Sequence, residues 1–225
     1  HLVTLAQAWA LTSEPRWLHA LERNLRSWFE ACPPLTGPNW TSSMEMGIRL
    51  INWSLIWQLV GGDNSKLFQG DGGAQLRADW LASIHAHCRT IARHLSRHSS
   101  ANNHLIGELA GLYAGAVTWP CWKESKDWEA QARRELEHEA QAQFSRDGVN
   151  REQAFAYHML SSEFLFVAGL LGQASGKPFP RSYWTVLQRA LRFLRSVRDV
   201  DGGLPMVGDA DDGCVFRLHA GSGRP

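Results

Sequence analysis

Four stretches of this sequence carry residue types that can do chemistry. The first is Ser99-Ser100-Ala101-Asn102-Asn103-His104-Leu105-Ile106-Gly107-Glu108. Two Asn and a His fall where a helix starts, between two apolar segments. One Asn suffices to cap a helix by accepting a backbone N–H bond. Three polar residues in a row also supply amide donors and an imidazole beside the free N–H groups of the helix start. That is a nest suited to an anion such as a carboxylate. On these residues alone, capping and anion binding both stay open.

The second stretch runs from Asp147 to His158. Gln153 and Tyr157 are four apart and share a helix face. Tyr157 and His158 are neighbours and point about 100° apart. A phenol titrating near about 10 is a poor base at neutral pH unless cations or strong donors lower it. The plain alternative is a half-buried core Tyr with its hydroxyl satisfied. The third stretch runs from Gly37 to Arg49. Glu45 and Arg49 are spaced i,i+4 in the favourable order for a helix ion pair. They read either as a surface pair or as a partly buried pair aimed, with Asn39 and Trp40, into a cleft.

The fourth is Gly208-Asp209-Ala210-Asp211-Asp212-Gly213. It lacks the length and terminal Glu of a calcium loop and reads as an acidic turn closing a helical domain. His85-x-His87 and His94-x-x-x-His98 lie among Arg residues, and no carboxylate or Cys completes a ligand set, so no metal site is expected. Phosphate-loop, dinucleotide and Gly-x-Ser-x-Gly signatures do not occur, and no cofactor is expected.

The elements that must position these residues read as helices almost throughout. Apolar residues Leu2, Leu5, Ala8 and Trp9 open one helix, and Glu14-Pro15 opens a second, to about Glu30. Cys32 to Trp40 is a Pro- and Gly-rich loop. Met44, Ile48, Ile51, Leu55 and Leu59 make a 3.6-period stripe on a third helix. A fourth runs from Gln75 to about Arg97, with Leu81, Ile84, Cys88, Ile91 and Leu95 on one face. Leu105 to Val117 is small-residue-rich and reads as buried. Trp122 to Phe144 has a charged, solvated face. Glu152 to Leu171 and Tyr183 to about Val197 complete eight helices, and Cys214 to Leu218 reads as a short strand. Helical hairpins with short loops and no fixed repeat give an all-α domain, either a toroid or an irregular bundle.

The chain has 225 residues and a formal net charge of +1. That balance argues against a dedicated nucleic-acid binder. No apolar run approaches the roughly 18–20 residues of a membrane span; the longest candidate is Phe164 to Leu171. Eleven Trp against three Tyr is a strong skew. Core packing accounts for most of it, and a share is expected to line a sugar cleft, since flat indole faces stack on sugar rings. Four widely spaced Cys without a Cys-x-x-Cys read as free thiols. The chain begins directly in a helical pattern, without an initiator Met or a signal h-region, and reads as a piece of a longer protein.

Taken together, several runs resemble the heparinase II/III-like family of polysaccharide lyases, including the related alginate lyases. They are Gly37-Pro38-Asn39-Trp40 with Glu45 to Trp53, then Ser100 to Leu112, then Asp147-Gly148, Glu152-Gln153 and Tyr157-His158, and last Pro205 to Gly213. The resemblance implies an incomplete (α/α) toroid over residues 1–207. Residues 208–225 would be a turn and the start of a β-sandwich region. It also implies β-elimination on a uronic-acid polysaccharide of heparan sulfate or alginate type. Asn103 and His104 would neutralise the uronate carboxylate and Tyr157 would act as base. Substrate contacts are expected at Asn39, Trp40, Glu45, Arg49, Asn102, Gln153 and His158. The general acid would lie in the β region. The implied partners are an acidic polysaccharide and that β region, in the periplasm or outside a bacterial cell. A non-catalytic glycan-binding or structural helical domain is the alternative.

Overall fold

The computed structural model describes residues 1–210 and 213–216. Among them run eight α-helices: α1 (Leu2–Thr12), α2 (Pro15–Ala31), α3 (Ser43–Leu59), α4 (Gly73–Arg93), α5 (Asn103–Thr118), α6 (Ser125–Gln143), α7 (Phe155–Ala174) and α8 (Arg181–Val197). Local chemistry sets several of their ends. Pro15 opens α2, where its missing N–H costs nothing. Ser42 caps α3 by accepting from the Glu45 N–H at 3.3 Å. Gly148 turns the chain between α6 and α7 at φ 94°, and a Cβ there would lie 2.4 Å from the Arg189 carbonyl oxygen of α8.

The helices pair as antiparallel hairpins. The odd-numbered helices form an inner row and the even-numbered ones pack behind them. Met44 of α3 faces Gly107 of α5, and Leu50 faces Gly115, so α3 and α5 run parallel. Between them α4 runs back: the Ser43 hydroxyl at the start of α3 donates to the His94 carbonyl at the end of α4. Phe164 of α7 also faces Gly107, and α8 returns along α7, from Trp184 against Gly169 to Ala190 against His158. This is the incomplete (α/α) toroid. Its parallel inner helices bring the N-terminal ends of α3, α5 and α7 to one rim.

The tightest contact is between α3 and α5. A Cβ on Gly111 would sit 2.1 Å from the Gly47 Cα, and one on Gly47 would sit 2.5 Å from the Gly107 carbonyl oxygen. The two backbones touch, and no side chain fits between them. Helix α3 therefore buries far more than one stripe. Of the expected stripe Ile51 is buried, while Met44, Ile48, Leu55 and Leu59 are only partly so, and Met46, Gly47, Leu50, Trp53, Ile56 and Trp57 are buried as well. The single-face reading fails because α3 is packed against α1, α4 and α5 at once.

Helix α7 is long and apolar enough to cross a membrane, contrary to the shorter run read from the sequence, but 56% of that window is buried inside the fold. Cys32, Cys88 and Cys121 are free thiols. No Trp is fully exposed. Trp53, Trp57, Trp80 and Trp119 join edge to face, with ring centroids 5.2–6.4 Å apart. After α8 the chain crosses the inner helices: the Phe155 N–H donates to the Val207 carbonyl at 3.1 Å. Val215 is buried, its N–H bonded to Glu163 and its carbonyl to the Asn52 amide. Cys214 to Phe216 form no strand among the described residues, and Arg217 and Leu218 of the expected strand lie outside them, as do Asp211 and Asp212 of the acidic turn.

Replacing Gly111 by Ala forces α3 and α5 apart. We expect a loss of about 3 kcal/mol or more, the upper end of overpacking, read as a lower urea midpoint with an unchanged slope. An unshifted midpoint would show that the two backbones do not meet here.

Candidate active site at the rim of the inner helices

The first turn of α5 is built from backbone donors that a helix cannot satisfy itself. The Asn102 side chain accepts from the His104 N–H at 3.0 Å, so it is the cap. The Asn102 carbonyl accepts from the Gln143 amide at 3.0 Å, which ties the cap to the end of α6. The next residue, Asn103, is buried and held by Glu152 from the loop before α7. Its N–H donates to one Glu152 oxygen and its side-chain amide to the other, both at 2.7 Å. Both readings left open by the sequence are realised in part: Asn102 caps the helix, and the donors of Asn103 receive a carboxylate, the protein's own Glu152. His104 is exposed beside it. A cavity of about 410 Å³ opens here, lined by Asn102, Gln143, Arg151 and Glu152 among others.

The loop that presents Glu152 is braced from below. The Asn150 side chain accepts from the Glu152 N–H at 2.9 Å, and the Asn150 N–H donates to His158 Nδ1 at 3.4 Å. His158 Nε2 is 3.2 Å from the Ala190 carbonyl, so the bonding pattern assigns its proton to Nε2. His158 was expected to bind substrate. The structure instead buries it, stacked on Phe193, with both ring nitrogens engaged inside the fold. Burial pushes its pKa down to about 4. Gln153 is exposed and takes a left-handed φ of 58°, an uncommon conformation for a non-Gly residue. Tyr157 follows on the first turn of α7, half-buried against the core.

The α3 end of the rim holds a separate cluster. Arg49 does not form a contact ion pair with Glu45, which is exposed. Its Nε donates to His87 Nε2 at 3.0 Å and one of its two terminal nitrogens to the Asn39 carbonyl, with the guanidinium 5.3 Å from the Trp28 ring. Burial lowers the Arg49 pKa, and the nearby Glu45 and Cys32 partly offset this. Trp40 was expected to face a cleft. It is buried instead, with its ring 4.3 Å from His87 and its N–H on the Cys32 carbonyl. His87 donates from Nδ1 to the Ser83 carbonyl at 2.7 Å and accepts from Arg49. Burial and the facing guanidinium push its pKa down to about 3. Asn39 is exposed and its amide reaches the Cys32 sulfur.

Glu108, one turn into α5, is buried and receives both the N–H and the hydroxyl of Ser96. Burial raises its pKa against those two bonds and the nearby His104 and Arg97. Among the described residues no group of three or more His, Cys, Asp or Glu gathers that could hold a metal. The sequence reading missed Glu152, Asn150 and His87. Glu152 had one signal, since it stands beside Gln153 in a run already singled out. Asn150 lies in that same run, two residues from Glu152 and eight from His158, whereas the role of His87 depends on an approach between distant segments.

A toroid of helical hairpins is also the fold of the helical part of solved heparinases. The chain belongs to the heparinase II/III family: the model described as Heparinase II/III N-terminus matches residues 1–217. Over 134 residues it is 28% identical to the heparin-sulfate lyase of Pedobacter heparinus, a match covering 59% of this chain and 20% of that protein. Among solved structures, heparinase III superposes with a TM-score of 0.73 at 19% identity, covering 94% of this chain and 32% of that one. The heparan sulfate lyase HepC from Pedobacter heparinus gives 0.66 at 20% identity, covering 89% and 31%. The chain thus spans about a fifth of the curated relative's length and about a third of the solved ones.

Both buried imidazoles are neutral in the folded state, while in the unfolded chain they titrate near about 6.5. Their folded pKa values are depressed, so the unfolded state takes up protons first as pH falls. Stability is full above about pH 6.5 and declines toward the folded values, by roughly 2 kcal/mol per His at about pH 5. Urea midpoints across this range check it. His158→Gln should be less stable at neutral pH, and its gap to the wild type should narrow on acidification. A constant gap would show that His158 has the same pKa folded and unfolded.

Proposed function

We propose that this chain is the helical part of a lyase that cleaves a uronic-acid-containing polysaccharide by β-elimination. The observation that carries the reading is the placement of Asn103 and His104 at the N-terminus of the central helix α5, tied through Glu152 to the loop that leads into Tyr157. Family membership supports it, as do relatives named for heparin sulfate and heparan sulfate.

The chemistry follows from the substrate. The C5 proton lies α to the uronate carboxylate, and its removal builds negative charge on that group. Asn103 and His104 supply donors at the positive end of α5, where that charge is stabilised most. Tyr157 takes the C5 proton through its phenolate. The C5–H electrons become the C4=C5 double bond as the C4–O4 bond breaks, and an acid returns a proton to O4. That acid is assigned to a β-sandwich region beginning after residue 207, which would complete the cleft. Asn102, Gln153, Asn39, Glu45 and Arg49 are the candidate rim contacts. Such a substrate is met outside the cytoplasm, which assigns the protein to the periplasm or exterior of a bacterium.

The test is turnover of the intact protein on heparan sulfate and on alginate, followed by the ultraviolet absorbance of the unsaturated uronate product. Tyr157→Phe keeps the ring and should lower kcat by about 10²–10⁴-fold with binding nearly intact. Asn103→Ala should lower it by about 10²-fold. The two losses should not simply multiply, because both groups act in one transition state. Near-normal turnover of Tyr157→Phe would remove Tyr157 as the base. Binding without any cleavage by the wild type would favour a glycan-binding domain instead.

A further inference from the structure

Asn103 is a flexible amide asked to present a donor, and an amide can sit either way round in its site. Here one carboxylate removes that freedom. Glu152 accepts from the Asn103 N–H with one oxygen and from its side-chain nitrogen with the other, at 2.7 Å each. A carboxylate can only accept, so the amide nitrogen must face Glu152 and the carbonyl oxygen must face away. One of the two amide hydrogens is spent on Glu152 and the second is left in a fixed direction. Glu152 is fixed in turn by Asn150, which accepts from its N–H, and Asn150 rests on His158, which is bonded to α8. An unbroken hydrogen-bonded chain thus runs from α8 through the loop to the start of α5. The carboxylate charge lies against the positive end of that helix, which compensates it.

We propose that Glu152 is the positioning residue for Asn103, setting which end of the amide meets the uronate carboxylate and holding it there before substrate arrives. The proposal rests on the lyase reading above. Glu152 touches no reacting atom. Its contribution is preorganisation, and it acts only through Asn103.

The experiment is a double-mutant cycle in the intact protein, with Glu152→Gln, Asn103→Ala and the double variant, each assayed for kcat and KM on the preferred polysaccharide. Gln keeps the size of Glu152 but turns an N–H toward one of the two donors. The expected result is a fall in kcat of about 10–100-fold with KM changed by less than about threefold. In the Asn103→Ala background the same substitution should change kcat by less than about twofold, because its target is gone. Multiplicative losses would overturn the proposal, as would a fall in KM with unchanged kcat, which would make Glu152 a competitor for the substrate's place. Should Glu152→Gln fail to fold, Glu152→Asp, which keeps the charge on a shorter stem, enters the same cycle with the same expected and overturning results. If Asn103→Ala alone leaves turnover unchanged, the lyase assignment of Asn103 fails instead, and the two failures are told apart.

Discussion

The contact between the backbones of α3 and α5 sets the geometry of everything around it. Gly47, Gly107 and Gly111 let the helices meet with no side chain between them. At that distance α5 is enclosed by α3, α4, α6 and α7, and all but the ends of it are buried. A helix so confined has one place for its first turn. Asn102, Asn103 and His104 are consequently presented from a fixed platform, held by Gln143 at the end of α6 and by Glu152 from the loop before α7.

The loop before α7 shows how such a platform is completed. It spends buried polar groups, His158 and Asn150, on holding a single carboxylate in place. Burying unpaired polar groups is costly, and here each bond satisfies the next group along. Around this loop, among the described residues, the Asn150 amide nitrogen and the Gln143 carbonyl oxygen are left without a partner. The left-handed Gln153 sits at the end of this bracing, where the chain must turn sharply to enter α7.

Helix positions were legible in the sequence because turn chemistry and the 3.6-residue period are local properties. Pro15, Ser42 and Asn102 each stand where a helix begins. The burial of α5 was legible from its small residues, and that of α3 was misread because a helix packed on three sides has no single apolar stripe. At the rim, the Asn-Asn-His run was legible as a cap or an anion nest, but the carboxylate it meets was not, since Glu152 is distant in sequence. Arg49 illustrates the same limit. Its i,i+4 spacing from Glu45 is a local suggestion, and the buried acceptor on His87 overrides it. Trp40 followed for the same reason, drawn onto the imidazole that Arg49 selects.

The edge-to-face indoles give the molecule an optical asymmetry. Trp53, Trp57, Trp80 and Trp119 lie close enough for their excited states to couple, and all four belong to the wall made by α3, α4 and the end of α5. The loop from Ser145 to Ala154 and helix α7 contain no Trp. Near-ultraviolet circular dichroism will therefore be dominated by one side of the ring. Trp184 of α8 packs on α7 at Gly169, toward the far end of that helix from Glu152, so a reporter placed beside Glu152 follows rearrangement of its bracing more directly.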